Sequence, residues 1–111
     1  MKMNDAELRE LDLWIAVNIF GWQTFNEEEY PHRMLWREGD IGSPVWDEPD
    51  FYTTDPAAAM EVLKRCSDEW DIQIGRRMIT KEWFCSSGYA YTQAETIELA
   101  ICQFAKKLFI K

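Results

Sequence analysis

The sequence predicts an α+β fold in which three helices pack on a small antiparallel sheet of three or four strands. Apolar residues recur at helical spacing in three segments, one near the N terminus, one after Pro56 and one at the C-terminal end. Between the second and third segments, short stretches alternate apolar and polar residues, which is typical of strands. Because the turns between these stretches are too short for crossover connections, the strands are expected to pair antiparallel.

The composition is that of one globular domain spanning residues 1–111, since 47% of the residues are hydrophobic. The chain has 3 cysteines at wide spacing, which is not a disulfide framework. Its first residues are polar and acidic and do not resemble a signal peptide. No apolar run approaches the length of a membrane span. We therefore expect a cytoplasmic protein with reduced thiols and no membrane contact.

The charge is unevenly distributed along the chain, whose formal net charge is −8. Residues 1–55 hold 13 acidic and 4 basic side chains, whereas residues 56–111 hold 7 acidic and 8 basic ones. Such a chain lacks the broad cationic surface that binds double-stranded nucleic acid. The basic groups of the second half can still hold a small anion.

Aromatic residues reach 14% and include 6 tryptophans, which is more than a core of this size readily hides. Some of these rings are expected to line a pocket or a subunit interface, although the alternative that all belong to the core stays open. A small sheet also leaves free edges. We therefore expect a homo-oligomer.

The first helix is predicted to run from about Asp5 to Phe20. Asn4 is a suitable N-cap, and Glu7 occupies the position of the acid in a capping box. Gly21 supplies a C-terminal stop. The inward stripe, at helical spacing, consists of Leu8, Leu11, Ile15 and Ile19, widened by Trp14 and Val17.

The segment from Trp22 to Tyr52 has no helical period and is broken by glycines and prolines. It is predicted to be a long loop with one or two short strands, one of them over Arg33–Arg37. Long loops in compact domains are often functional. The rings of this segment expected to contact a partner protein are Tyr30, Trp36 and Trp46.

The second helix is predicted to begin after a cap at Thr54 or Asp55, with Pro56 in its first turn. The residues of this helix expected to face the core are Ala59, Val62, Leu63 and Cys66.

Three stretches follow the second helix. The first two, Trp70–Ile74 and Lys81–Ser86, are predicted as strands, and Tyr89–Tyr91 is predicted to be either a short strand or the lead into the last helix.

The last helix is predicted to run from Thr92 to Phe109. Thr92 and Glu95 form a T-x-x-E sequence, which is the pattern of a capping box. Its inward stripe consists of Ile97, Ile101, Phe104 and Leu108, with Ala100 and Ala105 beside it.

Two stretches, in this order, are similar to a known family. They are Phe51–Leu63, FYTTDPAAAMEVL, and Tyr91–Cys102, YTQAETIELAIC, and the first helix with Leu11–Ala16, LDLWIA, also fits. Together they resemble the phage ABA-sandwich domain family, small proteins encoded by phages and prophages. The resemblance implies α/β/α-type layering and an accessory protein in the cytoplasm of an infected bacterial cell. The family brings no catalytic residue and no cofactor to carry over.

Neither a metal site nor a covalent catalytic site is predicted. The cysteines and the single His32 have the composition of a zinc site, but no C-x-x-C pair exists. Cys66 and Cys102 lie on inward helix stripes, so buried free thiols are the better interpretation. Cys85 with His32 is the only thiol–imidazole combination, and nothing in the sequence orients that histidine. No cofactor is expected, since Gly39–Gly42 is not a phosphate-binding loop.

The most suggestive cluster combines cations with rings near the second predicted strand. Guanidinium groups hold phosphate or carboxylate with two hydrogen bonds, and aromatic faces stack on bases. The cluster therefore predicts a pocket for a nucleotide-type ligand, against the alternative of a solvated hairpin turn beside packed strand rings. Its members are Arg76, Arg77, Lys81, Trp83, Tyr89 and Tyr91.

These observations favour a non-enzymatic phage accessory protein that acts by binding. The leading hypothesis is counter-defence, in which a small oligomer sequesters a nucleotide-type immune signalling molecule. The alternative is an acidic interaction module that binds and inhibits a host protein or mimics nucleic acid. A small hydrolase acting on a signal nucleotide is the third hypothesis.

Overall fold

The computed structural model describes residues 3–24, 35–38, 44–47 and 49–110. The prediction of an α+β chain with three helices and a small antiparallel sheet is confirmed. In chain order the elements are α1 (Asp5–Asn18), β1 (Gln23–Thr24), β2 (Leu35–Glu38), β3 (Pro44–Asp47), α2 (Pro56–Ser67), β4 (Gln73–Arg76), β5 (Trp83–Ser86), β6 (Tyr91–Ala94) and α3 (Ile97–Phe109).

Helix α1 begins as its sequence predicts and ends at Asn18, two residues before the predicted Phe20. The amide of Glu7 donates to the side chain of Asn4 at 2.8 Å, and the Glu7 carboxylate accepts from the Asn4 amide at 3.3 Å. This is the expected capping box. Gly21 takes a φ of 76°, the left-handed conformation that ends a helix and favours glycine.

Helix α2 begins with Pro56 in its first turn, as predicted, while Asp55 is the N-cap without a side-chain hydrogen bond. Among its residues expected to be inward, Leu63 is half-buried. The others are buried, namely Ala59, Val62 and Cys66.

Strands β1, β2 and β3 form a first antiparallel sheet in that order. The described residues of this region therefore contain three short strands instead of the predicted one or two. The predicted strand over Arg33–Arg37 is displaced to Leu35–Glu38, and residues 33 and 34 lie outside the described part. The register pairs Leu35 with Asp47 and Glu38 with Pro44. Pairing with neighbouring strands stabilises such short elements, and the local pattern of a single strand does not reveal it.

Strands β4, β5 and β6 form the second antiparallel sheet, again in chain order. Cys85 of β5 pairs with Ile74 on one side and Thr92 on the other. Cys85, Thr92 and Ala94 are buried, so their side of the sheet is the core face. Strand β4 begins three residues after the predicted start at Trp70, and β5 begins at Trp83 instead of Lys81.

The predicted start of the last helix at Thr92 is wrong. Residues Tyr91–Ala94 form strand β6, and the N-cap of α3 is Thr96, whose hydroxyl accepts from the Leu99 amide at 3.2 Å. Thr92 is buried, and its hydroxyl donates to the carbonyl of Ala100 at 2.8 Å. A T-x-x-E sequence therefore lies here in a strand, because burial of β-branched Thr92 beside β5 outweighs the local capping signal.

Helix α3 is the central element of the described part. It packs on β5 and β6, and both α1 and α2 pack against it. Phe104 is only 1% exposed and belongs to the largest fully buried side chains. Further residues of this helix without significant exposure are Ala100, Ile101, Cys102 and Ala105, whereas Ile97 and Leu108 of the predicted stripe are half-buried.

A buried carboxylate ties α1 to the segment before α2. Asp12 is fully buried, and it accepts from the Arg9 guanidinium at 2.8 Å and from the Thr53 amide at 2.8 Å. Arg9 also donates to the carbonyls of Pro49 at 2.7 Å and Asp50 at 3.3 Å. Together these hydrogen bonds fix residues 49–53 on the N-terminal helix.

Candidate functional site

The outer face of the second sheet, opposite α3, carries rings on two neighbouring strands. Phe84 of β5 and Tyr91 of β6 stack with ring centres 5.9 Å apart and an angle of 18° between their planes. Gly75 of β4 pairs with Phe84, and a methyl group at Gly75 would lie 2.6 Å from the Phe84 ring. The glycine therefore makes the room in which that ring lies flat against the sheet.

Arg77 brings a cation to these rings. Its guanidinium carbon lies 4.9 Å from the centre of the Phe84 ring and 5.8 Å from that of Tyr91. Its Nε donates to the Tyr91 hydroxyl at 3.3 Å. The Tyr91 hydroxyl in turn donates to the side-chain oxygen of Gln93 at 2.8 Å, and the Gln93 amide donates to Glu82 at 3.2 Å. We call Gly75, Arg77, Phe84, Tyr91 and Gln93 the ring face.

The structure divides the predicted cation and ring cluster. Arg77 and Tyr91 lie on the ring face. Arg76 instead lies over Trp83, 5.9 Å from its ring centre, and both occupy paired positions on the core side of the sheet. Lys81 is in the β4–β5 turn with a φ of 60°, and its carbonyl accepts from Arg76 at 3.3 Å.

Tyr89 is separated from the other cluster members. It follows β5 in the turn to β6, at the end of β5 opposite the β4–β5 turn, and it is 84% exposed. The sequence reasoning did not assign Gly75 or Gln93 of the ring face to a site, and it also missed Phe84. Period-two alternation in β5 would have found it, because Trp83 and Cys85 point to the core side and Phe84 lies between them.

A substitution at Gly75 tests how the ring face is built. Gly75→Ala is expected to destabilise the protein by about 1–3 kcal/mol, because the new methyl group overlaps the Phe84 ring. The matched control is Gly88→Ala, since a methyl group at Gly88 would meet no heavy atom within 4 Å. Thermal unfolding of both variants measures the difference. Equal midpoints for the two variants would contradict the close packing of Phe84 on Gly75.

A groove of about 980 Å³ opens between α1, α3 and the edge of β6. Trp14 and Val17 line the α1 wall with Glu7 and Glu10, and the α3 wall includes Lys106 and Lys107. Lys107 donates to the Tyr91 carbonyl at 2.9 Å, and Lys106 lies 5.7 Å from the centre of the Trp14 ring. The groove has the size of a ligand or side-chain binding site, with an apolar floor and charged rims.

Two of the three residues predicted to contact a partner protein belong to strands of the first sheet. Trp36 and Trp46 are direct partners in the register of β2 and β3. Tyr30 and His32 lie outside the described residues. The predicted interaction loop therefore stays a prediction, and the structure does not test the Cys85–His32 combination, which the sequence disfavours.

The three thiols are buried, and their chemistry is that of core residues. Burial raises the pKa of Cys66 to about 12 and that of Cys85 to about 11. The pKa of Cys102 is also raised, mainly by burial and next by the negative charge of the nearby Asp12. Such thiols stay protonated at neutral pH and are poor nucleophiles. In the described ranges, no three histidine, cysteine or acidic side chains come together as metal ligands, and no helix there has the length and apolar character to cross a membrane.

Comparison with known families decides where the chain belongs. Residues 13–105 match the model of the phage ABA sandwich domain. The chain belongs to this family. The ABA-sandwich chain is also similar to a crystal structure at 2.0 Å of a phage protein from Bacillus cereus ATCC 14579. The TM-score is 0.68 at 18% identity, over 100% of this chain and 95% of that one, so the likeness concerns the fold. No curated protein matches the ABA-sandwich chain.

Proposed function

We propose that this phage protein is a non-enzymatic binding protein whose ring face holds a nucleotide-type ligand. This ligand would be an immune signalling molecule of the host cell, which the protein sequesters. The observation that supports the proposal is the position of the Arg77 guanidinium, 4.9 Å from the centre of the Phe84 ring, beside the stacked Tyr91.

The ring face supplies the two contacts that a nucleotide needs. Tyr91 is 40% exposed, which leaves ring surface for stacking with a base. Rings on neighbouring strands of an antiparallel sheet, with helices on the opposite side, are a frequent platform for unpaired bases. Arg77 is exposed, and among the described residues its side-chain hydrogen bond, to the Tyr91 hydroxyl, uses Nε. Its two terminal nitrogens can therefore donate to a phosphate.

A ligand must share the platform with Arg77, because the guanidinium already lies over the Phe84 ring. We expect the base to stack on Tyr91 and the phosphate to draw the guanidinium outward. The Gln93 and Glu82 side chains are joined by a hydrogen bond of 3.2 Å and limit the ring face on one side. The amide nitrogen of Gln93 donates to both Glu82 and Thr80, so its donors are already in use. The chain's net charge of −8 restricts the ligand to a small one, which need not approach the acidic first half.

Isothermal titration against cyclic nucleotides, cyclic dinucleotides and cyclic ADP-ribose isomers tests the proposal. One ligand class is expected to bind, and Arg77→Ala is expected to weaken it about 10- to 100-fold, the effect of losing charged hydrogen bonds. The matched control is Arg76→Ala, because that neighbouring arginine lies on the core side over Trp83. Flat traces for every ligand, or equal losses in the two variants, would overturn the proposal.

The recovered ligand separates binding from catalysis. After incubation with the protein we expect the ligand mass to be unchanged, whereas an altered mass would replace the proposal by a nucleotide hydrolase. Flat titrations together with one stoichiometric basic partner from host lysate would favour the acidic interaction module. In that case the acidic residues of the segment 1–55, together with Trp36 and Trp46, are the ones to substitute.

A further inference from the structure

Helix α1 has a second apolar side that does not face the core. Its residues Leu11 and Ile15 are buried in the core. Trp14 and Val17, in contrast, are only half-buried and line the groove between α1, α3 and β6. A surface helix usually carries polar residues on the side turned away from the core. An apolar stripe that stays partly open along a groove is typical of a binding site for an apolar body.

The free charge in this groove is positive. Lys106 and Lys107 of α3 are exposed and line the groove, and neither of them forms an ion pair within the described part of the chain. The acids of the α1 wall already have partners, Glu7 in the capping box of its helix and Glu10 in a further interaction. The groove therefore suits an occupant with a negative group better than a neutral or cationic one.

Hydrogen-bond donors for such a group lie within one turn of α3. The Lys107 ammonium has three N–H donors and donates one of them to the Tyr91 carbonyl at 2.9 Å. One turn earlier, the Gln103 amide donates to the sulfur of Met3 at 3.4 Å, and a thioether is a weak acceptor that a carboxylate would outcompete. Because these donors are so close together, they suit a single anionic group better than the row of acids on a protein partner.

The shape of the groove suits an elongated molecule. Its α1 wall extends over Glu7–Asn18, which is about 16 Å at the helical rise of about 1.5 Å per residue. Its volume of about 980 Å³ is at the upper end of the range for small-molecule sites. The Lys106 ammonium lies 5.7 Å from the centre of the Trp14 ring, so the cationic group directly adjoins the apolar floor.

We propose that this groove binds an amphipathic anion, namely an apolar chain with a carboxylate end group. The chain lies along Trp14 and Val17, and the carboxylate accepts from Gln103 and the two lysines. The groove is formed mainly by α1 and α3, and its lining does not include Arg77 or Phe84 of the ring face. This site is therefore independent of the nucleotide-type ligand proposed above.

Isothermal titration with molecules that share one apolar chain but differ in their end group tests the proposal. The three probes are octanoate, octanol and octyltrimethylammonium, each used below the concentration at which it forms micelles. We expect octanoate to bind at least about tenfold more tightly than the other two, which is the effect of a charged hydrogen bond. Butyrate, with the same carboxylate on a shorter chain, is expected to bind more weakly than octanoate, because less apolar surface is buried.

Two matched double variants locate the anionic group. Lys106→Met with Lys107→Met removes both charges but keeps apolar stems, so it is expected to weaken octanoate about tenfold and to leave octanol unchanged. The control, Lys64→Met with Lys81→Met, removes two exposed cations outside the groove and is expected to bind octanoate as the wild type does. Arg77→Ala is also expected to leave octanoate binding unchanged, which separates this site from the ring face.

Circular dichroism shows whether each variant is folded. Equal affinities for octanoate and octanol, equal octanoate affinities of the two double variants, or no octanoate binding to the wild type would each overturn the proposal. An amphipathic helical peptide of leucine and glutamate serves as a further probe. If it bound the groove more tightly than octanoate, the proposal would also be wrong, and the occupant would be a segment of a partner protein.

Discussion

Replacing Phe104 by alanine is expected to lower the free energy of unfolding by about 4 kcal/mol. The ring is 1% exposed on α3, the helix against which α1, α2, β5 and β6 all pack. Its loss leaves a cavity where these elements meet, and none of them can move to fill it without losing other contacts. Denaturation by urea, followed by tryptophan fluorescence, measures the change.

Phe109→Ala is the matched control, since the same helix carries this ring at its half-buried end, where it contacts Trp70 edge to face at 5.2 Å. Its substitution removes an equal number of atoms but leaves a site open to water. We expect it to cost roughly half as much as Phe104→Ala, because the transfer contribution is smaller and no closed cavity forms. A larger loss from Phe109→Ala would contradict the central position of Phe104.

Replacing Asp12 by alanine is expected to lower the free energy of unfolding by about 3 kcal/mol. The substitution leaves the Thr53 amide buried without its acceptor and deprives Arg9 of its carboxylate. Arg9 is 33% exposed and can turn partly to water, which keeps the loss below that of a fully buried ion pair. Thermal unfolding is expected to show a decrease of roughly 4–8 °C for each kcal/mol in a domain of this size.

Two controls separate the contributions of Asp12. Asp68→Ala removes a carboxylate from an exposed position after α2 and is expected to change stability by less than about 0.5 kcal/mol. Asp12→Asn keeps an oxygen that can accept from Thr53, but it removes the charge and replaces the oxygen that accepts from Arg9 by an amide donor. If Asp12→Asn were as unstable as Asp12→Ala, the ion pair with Arg9 would outweigh the hydrogen bond to Thr53.

Local signals predicted the helices because the residues that cap a helix act within one turn. Asn4, Glu7 and Gly21 perform the roles that their types suggest. The same reasoning failed at Thr92, where the T-x-x-E pattern is present but the chain is a strand. The hydroxyl that the pattern assigns to a cap instead bonds to Ala100, eight residues along the chain. A local rule fails where burial against another element determines the conformation.

The candidate site was predicted only in part, for a related reason. Arg77 and Tyr91 were recognised from their chemistry, but a list of residue types does not assign the two sides of a sheet. Strand alternation places Arg76 and Trp83 on the other side of the sheet from Arg77, and it places Phe84 on the same side as Arg77.

No sequence pattern indicated the structural role of Asp12. Its partner Thr53 is distant in sequence, so their hydrogen bond becomes evident only in the folded chain.

The hydrogen bonds at residues 49–53 have a consequence for how this protein can vary. On the N-terminal side of the intervening region, the Trp22 amide donates to the carbonyl of Ala16 at 3.0 Å. On the far side, Arg9 and Asp12 hold the chain, and the Cys102 thiol donates to the Tyr52 carbonyl at 3.2 Å. Both ends of the stretch between residues 22 and 49 are therefore anchored by groups that do not belong to it. We expect insertions, deletions and sequence exchange between related phages to accumulate there, while the anchoring residues change least.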